Sequence, residues 1–384
     1  MRHPSARDRY DVVVVGAGIV GMAHALAAAR AGASVAIVES AGRALGASVR
    51  NFGFVTVTGQ ERLEMWSLAR RSREVWAQVA VQAGVRIDQT GLIVTARREE
   101  AAAVLDAFLQ TEMGEGCVLR SGAELRKDAP AGWFASAQAA LISPHELRVE
   151  ARDAVPALLS WLSERWRVDV LSDSVALDIQ PGAVRTVRGE VRGAHVFVCP
   201  GDGVIGLYLD LAREMGVAPC KLQMLRLETP GGRLPSPVMS DLGLARYEGY
   251  AALPEAKALK ARLAREQAEH LAAGVHLIAV QSADGSMVVG DSHEYGPSPD
   301  PFLRAGVEAL ILDEYAAVLG APPPVIERWH GVYTWSPDRN WFSREVAAGV
   351  HVTVVTCGAG MSTAFAIGED VVAGALQTPI KGLI

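Results

Sequence analysis

The stretch Asp11-Val12-Val13-Val14-Val15-Gly16-Ala17-Gly18-Ile19-Val20-Gly21 decides the reading of the whole chain. Four valines stopped by a glycine predict a short buried strand over 11–15. The small and apolar residues that follow predict a helix over 19–31, ended near Gly32. Residues 34–38 (SVAIV) predict a second strand ending at Glu39. Together they make a strand–helix–strand unit of about 30 residues, the length of a dinucleotide site. Gly16 permits the sharp turn out of the strand. Gly18 lets the backbone approach a diphosphate, and Gly21 lets the helix pack closely on the strand. The helix start at Ile19 and Val20 offers free N–H groups and a positive dipole end to phosphate. Glu39, with Ser40 beside it, suits the two hydroxyls of a ribose and disfavours a 2′-phosphate.

Outside this unit the bulk properties narrow the field. The chain has 384 residues, half of them hydrophobic, which suggests two domains or one large α/β unit with an inserted lobe. The net charge of -6 and the absence of basic runs beyond pairs such as Arg70–Arg71 and Arg97–Arg98 argue against nucleic acid as a partner. The cysteines at 117, 199, 220 and 357 form no CxxC pair and no zinc spacing, so no metal is expected and a reduced cytoplasm is the simplest location. Arg2, Arg7 and Arg9 before the apolar run imitate a signal peptide, but Gly16, Gly18, Gly21 and Arg30 interrupt it. No stretch of about 20 apolar residues exists to span a membrane.

Further along, a glycine- and serine-bearing loop is expected over 42–60 and an amphipathic helix near 61–83. Strand–turn–strand is expected over 85–95 with Gly91 at the turn, a helix over 98–112, a loop over 129–145 and a helix over 147–166. Short strands and turns over 168–199 end in the apolar strand 195–199 and Pro200–Gly201. Sheet strands are expected at 218–228 and 286–293, a charged exposed helix at 254–273, and a last apolar strand at 350–356. The buried strands near 11, 34, 168, 195 and 350 are scattered. The natural picture is a discontinuous α/β cofactor domain, Rossmann-like, interleaved with an antiparallel-sheet α+β substrate domain. The expected boundaries are 1–75, 140–215 and 326–384 for the first and 76–139 and 216–325 for the second.

Two segments favour a flavin over a nicotinamide. One is Ala47-Ser48-Val49-Arg50-Asn51-Phe52-Gly53, soon after Glu39. The other is Cys357-Gly358-Ala359-Gly360-Met361-Ser362, which opens a C-terminal helix. A second helix N-terminus can stabilise negative charge on a reduced flavin ring.

With these anchors, and with Val196–Gly201 and Gly358–Gly368, the chain resembles the flavin amine oxidoreductases of the D-amino-acid oxidase, glycine oxidase and sarcosine oxidase superfamily. The resemblance spans nearly the whole chain. It implies FAD, held by the early glycines and by Ser48, Arg50, Asn51, Phe52, Val175, Pro200, Gly201, Gly358, Gly360, Met361 and Ser362. The stretches Arg50–Gly53, Cys220–Leu225 and Gly290–Tyr295 resemble a branch associated with phosphonate metabolism, which implies 2-aminoethylphosphonate or its N-methyl form as substrate. Two departures matter. Sarcosine oxidases carry the flavin on a cysteine before a Tyr-Thr pair; Gly331 stands there, ahead of Tyr333-Thr334, so a non-covalent flavin is expected. Amino-acid oxidases clamp a carboxylate with an arginine where Tyr333 stands, so another cation is needed.

Candidates for that cation are Arg50, Arg246 and Arg339. Arg246–Tyr247 sits in an expected lid, and a guanidinium suits a phosphonate or carboxylate. His293 at a strand end is a candidate for polarising the substrate, against a plain turn histidine. Lys221 is a candidate for binding an anion or favouring oxygen, against a stem covering an apolar edge. Tyr333, Trp335, Arg339 and Trp341 are candidate pocket walls, with Tyr333 also a candidate catalytic residue, against plain core aromatics. Asp291 and Glu294 form no clear acid–base pair, and Cys357 reads as a packed small residue. The expected activity is hydride removal from the carbon beside nitrogen of a small amine, with oxygen or another acceptor reoxidising the flavin. The rival readings are a glycine-, sarcosine- or D-amino-acid-type oxidase or dehydrogenase, a flavin-binding redox subunit without amine chemistry, and an NAD-linked dehydrogenase.

Overall fold

A computed structural model describes residues 7–383. Tyr10–Val15 forms the central strand of the first sheet, and Val12, Val13 and Val14 are fully buried. It pairs in parallel with Val35–Val38 on one side and Gly189–Val198 on the other. Asp169–Leu171 and Val350–Val355 extend the sheet outward, again in parallel. The scattered strands near 11, 34, 168, 195 and 350 thus meet in one layer, with Trp341–Ala347 added antiparallel at the edge and the hairpin strands Ala176–Gln180 and Ala183–Thr186 on Gly189–Val198. Such parallel strands are buried on both faces, which is why they read as unbroken apolar runs.

The helix Ile19–Arg30 follows the first strand and is buried on nearly every side. The C-terminal helix Gly360–Leu376 lies along it. Gly368 makes this close approach possible: a Cβ there would stand 2.8 Å from the Ala23 carbonyl carbon.

The second sheet has ten strands and is antiparallel except where Val238–Met239 runs parallel to Ile87–Ala96. Its long members are Ile87–Ala96, Ala139–Val149, Ala218–Leu227 and Val325–Trp335.

Several expectations change here. Residues 85–95 do not turn back at Gly91; Ile87–Ala96 is one strand with a register shift between Thr90 and Leu92. Gly91 has φ +72°, and a Cβ would meet the Ser143 carbonyl oxygen at 2.5 Å. It is a bulge glycine, opposite a partner strand that contains Pro144. The expected loop 129–145 therefore contains most of the strand Ala139–Val149, and the next helix starts at Ala151. The expected single helix 254–273 is two, Ala256–Glu266 and Ala268–Ala272, broken at Gln267, and it is not simply exposed: Ala256, Leu259 and Leu263 are buried toward the helix Glu99–Leu109. The helix Ala305–Leu319 was not foreseen. Among the described residues no helix is long and apolar enough to cross a membrane.

Candidate active site

A cleft of about 950 Å3 runs between the two sheets. At one end lies the first strand–helix turn. Gly16 has φ +105°, and a Cβ on it would stand 2.5 Å from the Cys199 carbonyl oxygen. Gly16, Gly18, Ile19 and Val20 line the cleft; Gly21 does not, since its task is packing. A Cβ at Gly21 would stand 1.9 Å from the Gly16 carbonyl oxygen. Glu39 ends the second strand with Oε2 accepting the Ala17 amide at 2.8 Å and Oε1 accepting the Ala41 amide at 3.0 Å. Its carboxylate and Ser40 both face the cleft.

The expected loop contributes as well. Ser48 Oγ accepts the Ile19 amide at 2.9 Å, and Ser48, Arg50, Asn51 and Phe52 all line the cleft. Asn51 is occupied with its own turn, donating to the Ala47 carbonyl and accepting from the Gly53 amide. Val175, Pro200 and Gly201 lie on the rim of the same cleft, and Gly358, Gly360, Met361 and Ser362 line its far wall. Ser362 Oγ is engaged by the Thr56 amide at 2.8 Å.

Neither helix that faces the cleft has an acidic residue in its first turn, and of the first-turn amides only that of Ile19 is taken by a side chain, that of Ser48. Two positive dipole ends thus face it without a neutralising charge. This arrangement fits FAD: one helix start and a glycine cradle for a diphosphate, a carboxylate for a ribose, a second helix start for the flavin ring.

The other end of the cleft is aromatic, with His276, Asp291, His293 and Tyr333 buried, Arg246, Tyr247 and Trp335 half-buried and Tyr295 exposed. Arg246, Tyr247, His293, Tyr333 and Trp335 line it, as the sequence predicts, together with His276, Asp291 and Tyr295. Arg246 donates to the Tyr295 hydroxyl at 2.8 Å, and Tyr295 packs against Trp335 with centroids 4.4 Å apart. His293 Nδ1 lies 3.0 Å from the Gly274 carbonyl oxygen, which makes it the protonated nitrogen of a neutral ring. Burial drives the pKa of His293 and of His276 well below the ordinary value, with Arg246 adding to the effect. Burial pushes Asp291 up to about 7, partly opposed by the Arg246 charge.

Three candidates fall outside the cleft. Lys221 sits on the strand face opposite Leu222, which does line it. Its ammonium donates to the Phe302 carbonyl at 3.0 Å and to that of Asp300, and pairs with Glu294 at 3.0 Å. It fastens a loop and does not line the cleft. Arg339 points to Met215 Sδ at 3.3 Å and does not reach the site. Trp341 is likewise absent from the lining.

His276 was missed because its neighbours carry no signal. It enters by strand pairing: the Asp291 amide donates to the His276 carbonyl at 3.1 Å and the His276 amide to the Asp291 carbonyl at 3.2 Å. Asp291 and His293 were readable as a pair, since residues two apart on an extended segment share a face.

Comparison with known proteins agrees with this architecture. The family model described as FAD dependent oxidoreductase matches residues 11–373. The chain belongs to that family.

FAD is therefore its cofactor, and the α/β layer is the FAD-binding part of the fold. Glycine oxidase from Bacillus cereus ATCC 14579 is 19% identical, with 97% of this chain and 99% of that chain covered and a TM-score of 0.77. Iminodiacetate oxidase from Chelativorans sp. BNC1 is 18% identical, with 97% of each chain covered and a TM-score of 0.70. L-α-glycerophosphate oxidase from Mycoplasma pneumoniae, solved with FAD bound, is 14% identical, covering 98% of this chain and 97% of that one, at a TM-score of 0.75. No curated protein matches the chain in sequence.

Proposed function

We propose that this FAD-dependent oxidoreductase oxidises the carbon–nitrogen bond of a small amine that also carries an anionic group, with an aminophosphonate such as 2-aminoethylphosphonate or its N-methyl form as the preferred substrate. One observation carries the reading. Arg246 lines the inner end of the cleft, and among the described residues no carboxylate forms an ion pair with it. A permanently charged guanidinium facing a ligand cavity calls for an anion from the ligand. Structural relatives named for amine or amino-acid oxidation, glycine oxidase and iminodiacetate oxidase, support the chemistry.

When bound, FAD supplies the acceptor for a hydride from the carbon beside nitrogen. The chain's residues do the rest. Arg246, held by Tyr295, fixes the anionic end of the substrate. Tyr247, Tyr333 and Trp335 wall the site. Orientation of a bound substrate then lowers the barrier.

The flavin is held without a covalent bond in this reading: Gly331 lines the cleft where the sarcosine-oxidase resemblance has its cysteine. The cofactor unit comprises 1–75, 140–215 and 326–384 and the substrate unit 76–139 and 216–325, with the strands Ala139–Val149 and Val325–Trp335 crossing into the second sheet. A cytoplasmic location is supported by cysteines that are all free thiols.

The test is anaerobic mixing of the FAD-loaded protein with a panel of amines while the visible flavin band is followed. Aminophosphonates should bleach it fastest. Brisk bleaching by α-amino acids with none by aminophosphonates contradicts the substrate assignment.

A further inference from the structure

Three side chains at the inner end of the cleft have unspent hydrogen-bonding capacity. His276 and Asp291 are directly opposed on antiparallel backbone, and His293 follows Asp291 by two residues, so all three project to one side. Their exposures are 3%, 5% and 8%, so each is more than nine-tenths buried. His276 Nδ1 stands 3.3 Å from Asp291 Oδ1 without the alignment of a hydrogen bond, and both His276 nitrogens and Asp291 Oδ1 lack any partner. His293 Nε2, the lone-pair nitrogen once Nδ1 donates to Gly274, stands 3.9 Å from Asp291 Oδ2. Buried polar groups left unsatisfied cost free energy, so such a cluster marks the place of a missing ligand group.

We propose that His276, Asp291 and His293 form the subsite for the substrate nitrogen, and that Asp291 takes the proton released when a bound ammonium becomes the reactive amine. This rests on the amine-oxidation reading above and deepens it. One N–H bond of the ammonium breaks and one O–H bond forms on the Asp291 carboxylate; no electrons are exchanged in that step. The neutral amine keeps its lone pair. The two ends of the subsite then match a zwitterion: Arg246 with Tyr295 for the anion, the Asp291 carboxylate between the two histidines for the nitrogen.

The same trio has the residue types of a metal site, with ligand atoms all within 4.8 Å of one another. Arg246 decides against a dication. Its permanent charge acts on all three residues, and a metal would bring no anion to offset it. A zwitterionic substrate does.

The groups that face Asp291 are Arg246, His276, His293, Tyr247, Tyr295 and Cys220. Both histidines are held neutral by burial, so Asp291 is the group that changes charge near pH 7. Proton acceptance needs its carboxylate form. The rate of flavin reduction should therefore rise with pH through that region.

The experiment uses the FAD-loaded full chain and two probes, 2-aminoethylphosphonate and ethylphosphonate, which differ only in the amine. Affinities are measured by calorimetry on pre-reduced protein, where no turnover occurs. Wild type should prefer the amine-bearing probe, and Asp291→Asn should lose about tenfold or more of that preference, the scale of one charged hydrogen bond. Ethylphosphonate binding should stay within about twofold. In stopped flow, the limb near pH 7 should vanish from Asp291→Asn and move toward the amine's own range, about 10 as for a lysine ammonium. Should Asp291→Asn fail to retain flavin, His276→Gln carries the same affinity comparison. An unchanged preference or an unmoved limb overturns the subsite alone. Failure of wild type to bind either probe overturns the substrate assignment with it. One equivalent of zinc retained by wild type and lost in Asp291→Asn replaces the amine subsite with a metal site.

Discussion

Arg246 donates a 2.8 Å hydrogen bond to the hydroxyl of Tyr295, and the two side chains stand together in the cleft wall. The phenol holds the guanidinium while leaving its other N–H groups for a ligand. Arg246→Met should weaken binding of an anionic amine by about 100-fold, as expected for loss of a bidentate charged contact. Tyr295→Phe should weaken it less, by about tenfold. Flavin content should stay the same in both, and equal affinity for ethylphosphonate in wild type and Arg246→Met removes the anchor from the account.

Gly21 faces the Gly16 carbonyl oxygen, with room for a hydrogen and nothing larger. Gly21→Ala should force the helix off the strand, with a stability cost of about 1–3 kcal/mol from overpacking. Because this turn also forms the cradle, the ratio of bound flavin to protein should fall with the thermal midpoint. A Gly21→Ala protein that purifies with full flavin and an unshifted midpoint contradicts the packing role.

The early glycines and the buried strands were readable because their signals are local: β-branched runs, a strand-to-helix turn, an acidic residue at a strand end. Arg246, Tyr247, His293, Tyr333 and Trp335 could be named because each sits beside a strand end or turn. His276 was invisible, since it enters the site only through pairing with Asp291. Lys221 was misplaced for a different reason. Strand residues alternate faces, and sequence alone did not settle which face of Ala218–Leu227 meets the cleft; Leu222 does. The strand Ala139–Val149 hid behind Pro144, a residue that reads as loop until its partner bulges at Gly91.

His24 gives a pH test that is independent of the active site. It is fully buried, its Nδ1 lies 2.8 Å from the Val20 carbonyl oxygen, and its Nε2 has no partner. Burial lowers its pKa from 6.5 to about 4, opposed by the Val20 bond and helped by His351. A folded-state value below the unfolded one means that its contribution is fully present above the unfolded value. That contribution is lost as pH falls toward 4. Between pH 7 and pH 4, wild type should lose about 3 kcal/mol of stability relative to His24→Gln. Parallel denaturation curves for the two proteins across that range contradict the assignment.

Lys221 holds a loop rather than the substrate. Its buried ammonium ties the Asp300 and Phe302 carbonyls to the strand. Lys221→Met should lower stability by about 1–3 kcal/mol, the cost of leaving such groups unpaired. It should leave the rate of flavin reduction by substrate within about twofold. A large fall in that rate with stability unchanged would return Lys221 to the active site.

In the proposed site, amine and anion are recognised together on one substrate molecule. The most direct measurement compares the anaerobic rate of flavin bleaching by 2-aminoethylphosphonate, ethylamine and ethylphosphonate. Fast bleaching by the first, bleaching by ethylamine slower by about 100-fold at equal concentration, and none by ethylphosphonate is the predicted result. Equal rates with ethylamine and 2-aminoethylphosphonate, or no bleaching by either, contradict the account.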